Sequence, residues 1–128
     1  MSRALKFSGF LGLAVQMLWG MGNVAMIISS GGNPPPQSIV GAHAHFGVLG
    51  ILAIVVGFAV DYYQPQGWQR TLATWGYILG QWLLPGTLLA QFVTGNHMLG
   101  LLEFVWGILL LLAMAVMAVQ AWTKPQGA

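Results

Sequence analysis

The sequence has no cysteine and very little charge. Among its 128 residues, four are Lys or Arg, two are Asp or Glu and three are His. The lack of cysteine excludes disulfides, thiolate metal ligands and iron–sulfur clusters. Charged residues make up 5% of the chain, against about 25% in a typical soluble domain, and so few cannot cover a water-exposed surface. The net charge of +2 is too small to indicate nucleic acid as a partner.

Hydrophobic residues, by contrast, make up 57% of the chain and form four long runs. These runs cover about residues 7–28, 39–62, 68–94 and 98–122. Each reaches the roughly 20 residues that a helix needs to cross a bilayer, and a helix satisfies its own backbone hydrogen bonds in lipid. Segments rich in Gly, Pro, Asn and Gln separate the runs and indicate loops. The sequence therefore predicts an all-α integral membrane four-helix bundle, a single domain over residues 1–128 in the lipid bilayer.

The basic residues predict the orientation of this bundle. In a four-helix serpentine they all fall on one side of the membrane: Arg3, Lys6, Arg70 and Lys124. The positive-inside rule places that side, with both termini, in the cytoplasm of a cell bounded by a plasma membrane. The three histidines then all lie at the extracytoplasmic ends of their helices: His43, His45 and His97. Residues that are dispersed in the sequence thus become candidates for one site.

Two of these histidines open the second run, in the stretch GAHAHFGVLG (residues 41–50). At about 100° per residue they point roughly 200° apart, so one helix cannot aim both at a single centre. His43 heads a stripe of small residues that includes Gly47 and Gly50. Such a stripe lets another helix, or a flat cofactor, approach the backbone closely. His45 heads the opposite, apolar stripe that begins with Leu49, a face suited to an apolar ligand or to lipid.

Glu103 is the acidic residue closest to these histidines in the predicted topology. It lies about one turn into the fourth run, and an ionisable group within a span predicts a functional site. A zinc ion would need three or four convergent ligands, for which His43 or His45 with His97 and Glu103 are the candidates. A haem would need one imidazole and a wide apolar slot. Helix packing explains the same small and polar residues without any ligand. From composition and spacing alone, we predict a histidine-centred site on a four-helix membrane protein.

The stretch AHAHFG (residues 42–47), which follows a Gly/Pro-rich outer loop and opens the second helix, resembles the A-x-A-H-x-G element of the styrene oxide isomerase family. This resemblance implies a b-type haem whose axial ligand is His45, the metal-binding residue, near the interface of a trimer. Ferric haem would act as a Lewis acid that isomerises a small lipophilic epoxide to a carbonyl compound. His43 occupies the place of a basic residue of the family, where it would meet a haem propionate.

The catalytic part of the family pattern is matched less closely than the ligand. Family members carry an asparagine six residues beyond the axial histidine, where this chain has Ile51. The family tyrosine that orients the opened epoxide aligns near Thr87, and Tyr77 would approach the site from another turn. The predicted catalytic residues are therefore Tyr77 and Thr87.

AHAHFGVLG also resembles the H-x-H helix of four-helix proteins similar to fragments of haem–copper oxidase subunit I. That resemblance implies haem used for gas binding or electron transfer. Three interpretations follow: a haem isomerase, a non-isomerase haem protein, and a haem-free packing subunit of a larger membrane complex. The cofactor-binding candidates are His45, His43, Gly47, Gly50, His97 and Glu103.

Overall fold

The computed structural model describes residues 2–124, and every regular element among them is helical. In chain order these are α1 (Ser2–Ser29), α2 (Gln37–Tyr63), α3 (Gly67–Thr71), a π-helical turn (Leu72–Gly76), α4 (Tyr77–Thr94), a 3-10 turn (His97–Leu99) and α5 (Gly100–Thr123). The segments from Gly67 to Thr94 follow one another without a break and form one rod, which we call the third rod. The prediction of four long helical segments is confirmed, and the observed limits agree closely except that α1 begins five residues earlier.

Proline and glycine set the limits of these helices. The prolines of the α1–α2 loop cannot continue a helix, and α2 begins directly after Pro36. Gln64 ends α2 in the left-handed conformation, with φ 45°, and Gly95 ends α4 in the same way, with φ 66°. The side chain of Asn96 then accepts a hydrogen bond from the backbone N–H of Met98 and starts the 3-10 turn. Local turn chemistry therefore explains where each rod stops.

Three of the helical segments are long and apolar enough to cross a membrane. Within residues 2–124 they are Ser2–Ser29, Gln37–Tyr63 and His97–Thr123. The third predicted span is divided into α3, the π-helical turn and α4, and it is not among these three. The composition predicted four spanning segments, and three of them are long and apolar enough to cross a membrane as single helices.

The rods pack in chain order, so that α1 contacts α2, α2 contacts α4, and α4 contacts α5. Three of the basic side chains lie at one end of the bundle, where Lys6 and Lys124 contact the last turns of α2 and Arg70 faces the same end. We call this the basic end. The opposite end carries His43, His45 and His97 and is called the histidine end. The residues Ser2 and Lys124 that bound the described chain lie together at the basic end.

Burial in α1 and α5 is concentrated toward the basic end, whereas α2 has buried residues along its whole length. The core residues are Leu5, Ala53, Val56, Val60, Ala73, Tyr77, Leu110, Ala113 and Met117. In α1 the described buried residues all lie between Ser2 and Gly12, and in α5 they all lie between Leu110 and Gln120. The outer halves of α1 and α5 therefore contribute no buried residue to the part of the chain that the structure describes. At the histidine end the bundle is open.

Candidate functional site at the histidine end

The glycine stripe of α2 packs directly against α1. A Cβ placed on Gly50 would lie 3.1 Å from the carbonyl oxygen of Gly9, and one on Gly47 would lie 3.0 Å from the Cδ of Gln16. These distances are shorter than ordinary van der Waals contacts, so the two helices touch at these glycines. The surface that was expected to admit either a helix or a flat cofactor is covered by α1. Gly47 and Gly50 thus serve a helix–helix seam.

His43 lies in the same seam and is half-buried. Its Nε2 lies 3.4 Å from the side-chain nitrogen of Gln16, and its ring faces Gly20, where a Cβ would come within 3.1 Å of Cε1. The amide nitrogen of glutamine can only donate, so this contact makes Nε2 the acceptor and leaves the proton of a neutral ring on Nδ1. That Nδ1 is buried and has no hydrogen-bond partner within residues 2–124. The lone pair of His43 is therefore already engaged.

His45 has the opposite environment, as the helical phase predicted. Its ring is exposed on the outside of the chain, beside a shallow apolar groove that it forms with Ala44 and Val48. Its Nδ1 lies 2.8 Å from the carbonyl oxygen of Gly41. Because a carbonyl oxygen only accepts, this contact places the ring proton on Nδ1 and leaves the lone pair on the exposed Nε2. A backbone carbonyl that fixes the tautomer in this way is the usual second partner of a metal-bound histidine.

The structure does not bring His97 and Glu103 together with these two histidines as a metal-binding group. Exposed His97 lies in the 3-10 turn with its Nδ1 3.4 Å from the side-chain nitrogen of Gln91. No three His, Cys, Asp or Glu side chains of residues 2–124 are grouped so that they could hold a metal ion. The multi-ligand arrangement that zinc would need is therefore not assembled by the described part of one chain.

Glu103 lies in the first turn of α5, beside an apolar cavity of about 310 Å³ that includes Gly107. Its Oε1 is buried without a partner in the described chain, and the same is true of the indole nitrogen of Trp106, one turn further along the helix. Trp106 was not among the sequence candidates, although its i, i+3 spacing from Glu103 places both on one face. Unpaired polar atoms on α1, α2 and α5 thus accompany the open histidine end: Asn23, His43, Glu103 and Trp106.

The two predicted catalytic hydroxyls are both engaged in hydrogen bonds. Buried Tyr77 donates from its hydroxyl to the carbonyl oxygen of Leu49 at 3.2 Å, which joins α4 to α2 one turn from His45. Thr87 donates within its own helix, with Leu83 O at 2.9 Å and Leu84 O at 2.8 Å. The tyrosine therefore reaches the middle of α2, one turn from His45, but its donor is bound to backbone.

A buried polar network that the sequence did not predict joins α1 to α4. Ser8 donates to the Oε1 of Gln81 at 3.0 Å, and the Nε2 of Gln81 donates to the backbone oxygen of Ser8 at 3.0 Å. Trp82 donates to the same serine hydroxyl at 2.8 Å. Gln81 is a polar residue within the third predicted span, whereas Ser8 is unremarkable in the sequence because serine is common near a helix start. The network is structural and ties the third rod to α1.

Comparison with known protein families gives a match. The family model described as "Domain of unknown function (DUF8059)" matches residues 1–128. No curated protein matches the chain, and no solved structure matches it.

Proposed function

The chain belongs to the DUF8059 family, and from the geometry of its histidine end we propose that it is a membrane haem b protein with His45 as the axial ligand of the iron. The observation that carries this proposal is the state of the His45 ring. Its Nδ1 is held by the carbonyl oxygen of Gly41 at 2.8 Å, and its exposed ring lies beside an apolar groove. An exposed imidazole with a fixed tautomer and a free Nε2 is preorganised to bind a metal.

The hydrogen bonds and positions of the three histidines distinguish His45 from the other two. The Nε2 of His43 is engaged by Gln16 and its ring lies in the α1–α2 seam. His97 is exposed, but it belongs to a short 3-10 turn outside the long helices. Only one imidazole is needed to hold a haem iron from one side. We therefore assign the ligand to His45 and give His43 no direct bond to iron.

The position of His45 also bears on the oligomeric state. The small residues of α2 that would admit a flat ring are covered by α1, so a porphyrin on His45 would lie against the outside of the chain. Its own chain would leave a group bound to the exposed His45 ring uncovered on the outside, so a neighbouring copy would supply the surface that covers it. We propose a homo-oligomer with the haem near the interface, and the isomerase resemblance implies a trimer.

We further propose that all four rods cross the plasma membrane, with the basic end in the cytoplasm. The third rod packs between α2 and α5, two of the helices that are apolar enough to span. A rod enclosed by two spanning helices shares their depth in the bilayer. Three basic side chains gather at one end, which is the pattern of cytoplasmic ends.

When bound, the haem would supply an iron, held by His45, that would bind a small lipophilic ligand. The isomerase resemblance makes that ligand an epoxide activated by ferric iron. The hydrogen bonds of the Tyr77 and Thr87 hydroxyls favour gas binding or electron transfer over epoxide isomerisation. Tyr77 and Thr87, the residues that would orient an opened epoxide, both donate to backbone oxygens. We keep both uses as proposals that one assay separates.

The test begins with the absorption spectrum of the full-length protein expressed with ample haem. We expect a Soret band that is lost in His45→Ala and retained, with a small shift, in His43→Ala. His97→Ala serves as the matched control, since it removes another exposed imidazole at the same end, and it should leave the band unchanged. Loss of the band in His43→Ala alone would assign the haem to the seam instead. A colourless wild-type protein would contradict haem binding and favour the packing subunit.

A second measurement separates the two uses of the haem. Conversion of an aryl epoxide by the ferric protein without added reductant would establish the isomerase. Rapid CO binding after reduction, with the epoxide left unchanged, would establish the gas-binding or electron-transfer protein. His45→Ala should abolish whichever activity is found.

A further inference from the structure

A polar cavity lies at the basic end, remote from the histidines. It has a volume of about 280 Å³ and is lined by Val60, Asp61, Gln64, Gln66 and Arg70. It lies where α2 turns into α3, and most of its lining surface is polar, whereas the cavities beside Glu103 and His45 are mainly apolar. The haem proposal makes no use of it.

Among the residues that line this cavity, Arg70 has a buried hydrogen-bond donor without an acceptor in residues 2–124. Its side chain is half-buried, and its Nε is buried without a hydrogen-bond partner in residues 2–124. The chain has only two acidic side chains. Asp61 is already bound by the Nζ of Lys6 at 2.7 Å, and Glu103 lies at the opposite end of the bundle, in the first turn of α5. Neither of these acidic side chains forms an ion pair with Arg70 within residues 2–124. A buried guanidinium donor without an acceptor is costly.

The wall of the cavity is held in place by a second cation. Lys124 donates from its Nζ to the backbone oxygen of Gln64 at 3.2 Å and also to that of Tyr63. The Nε2 of Gln66 donates to the same oxygen of Gln64 at 2.9 Å. Gln64 itself is held in the left-handed conformation, which a residue with a Cβ adopts at some cost. The neighbourhood thus contains three cations, Lys6, Arg70 and Lys124, and one carboxylate.

We propose that this cavity binds a phosphate group through the guanidinium of Arg70, with the positive charge of Lys124 nearby. A phosphate offers several strong acceptors, and guanidinium binds it with charge-assisted hydrogen bonds. The two sources of such a group at this place are the headgroup of an anionic phospholipid and free phosphate. Basic pockets at the cytoplasmic ends of membrane helices are suited to lipid headgroups. The site depends only on residues of the basic end, so it stands independently of haem.

The experiment measures binding of phosphatidylglycerol to the full-length protein in a nonionic detergent, by native mass spectrometry and by the shift in Tm. Diacylglycerol, which has the same acyl chains and no phosphate, is the comparison lipid, and inorganic phosphate is added as a competitor. Arg70→Gln should weaken phosphatidylglycerol binding by roughly tenfold or more, as loss of a charge-assisted bond implies. Arg3→Gln is the matched control, because Arg3 is an exposed cation near the same end that does not line the cavity. It should bind as the wild type does.

Arg70→Lys keeps the test informative if Arg70→Gln fails to fold. It retains the charge and removes the Nε donor, and we expect binding between that of the wild type and that of a chain without the site. Competition by inorganic phosphate would show that the phosphate group alone is recognised, whereas binding of the lipid without such competition would identify the lipid as the source. Either result supports the site. Equal binding of the two lipids, absence of binding, or equal weakening by Arg3→Gln and Arg70→Gln would overturn it.

Discussion

The close contact between α1 and α2 at Gly9 makes a quantitative prediction about Gly9→Ala. A Cβ on Gly9 would lie 2.6 Å from the carbonyl oxygen of Gly50 and 2.6 Å from the Cγ1 of Ile54. The first of these neighbours is backbone and cannot rotate away, so α1 and α2 must separate. Overpacking of this kind costs about 1–3 kcal/mol. The alanine also gains about 1 kcal/mol of helix propensity relative to glycine, which offsets part of that cost.

Gly22→Ala is the matched control, because it lies in the same helix and its added Cβ would meet nothing within 4 Å. Both variants gain the same propensity, so the difference between them isolates the contact. We expect Gly9→Ala to be less stable than Gly22→Ala by about 1–3 kcal/mol. The assay is unfolding of the purified protein in mixed micelles with increasing SDS, followed by circular dichroism. Equal stabilities would mean that α1 and α2 do not touch at Gly9, and the assignment of Gly47 and Gly50 to a helix seam would fall with it.

Two further predictions test the buried network and the topology. Gln81→Leu removes both hydrogen bonds between Gln81 and Ser8 at a fully buried position, so it should destabilise the fold by about 1–3 kcal/mol. Gln37→Leu, at an exposed position, should change stability little, and equal effects in the same unfolding assay would contradict the network. The chain has no native cysteine, so single cysteines report topology directly. A membrane-impermeant maleimide added to intact cells should label Asn33→Cys, at the histidine end, and not Gln66→Cys, at the basic end; the reverse pattern would invert the proposed orientation.

The assignment of the histidines shows where sequence reasoning succeeded and where it stopped. Helical phase correctly predicted that His43 and His45 face different ways, because the rotation per residue is a fixed property of the helix. It did not indicate which of the two faces α1. In a helix of a water-soluble protein, the polar face would have indicated the solvent side and the apolar face the side that packs against other helices. Here lipid and the protein core are both apolar, so almost every face of α2 is apolar and does not indicate whether lipid or another helix covers it.

The glycine stripe illustrates the same difficulty. Small residues permit close approach by any flat or cylindrical partner, so the sequence left helix and cofactor open at Gly47 and Gly50. The structure places Gln16 and Gly9 against them. That choice depends on how α1 is docked, which is a long-range property. The engagement of Tyr77 with Leu49 depends on docking in the same way, since 28 residues separate the two partners along the chain.

Composition and local chemistry by themselves determined that this chain is helical and apolar, that four long segments exist, and that loops containing proline or glycine separate them between residues 28 and 39, 62 and 68, and 94 and 98. These features follow from backbone hydrogen bonding in an apolar solvent and from the conformations open to proline and glycine. The tertiary structure alone decided that His43 is enclosed in a seam, that His45 is exposed with a free Nε2, and that Arg70 lacks an acidic partner. Each of these features depends on which helix surfaces pack together. Because the helices are apolar on all sides and pack by van der Waals contact, the sequence does not indicate which surfaces these are.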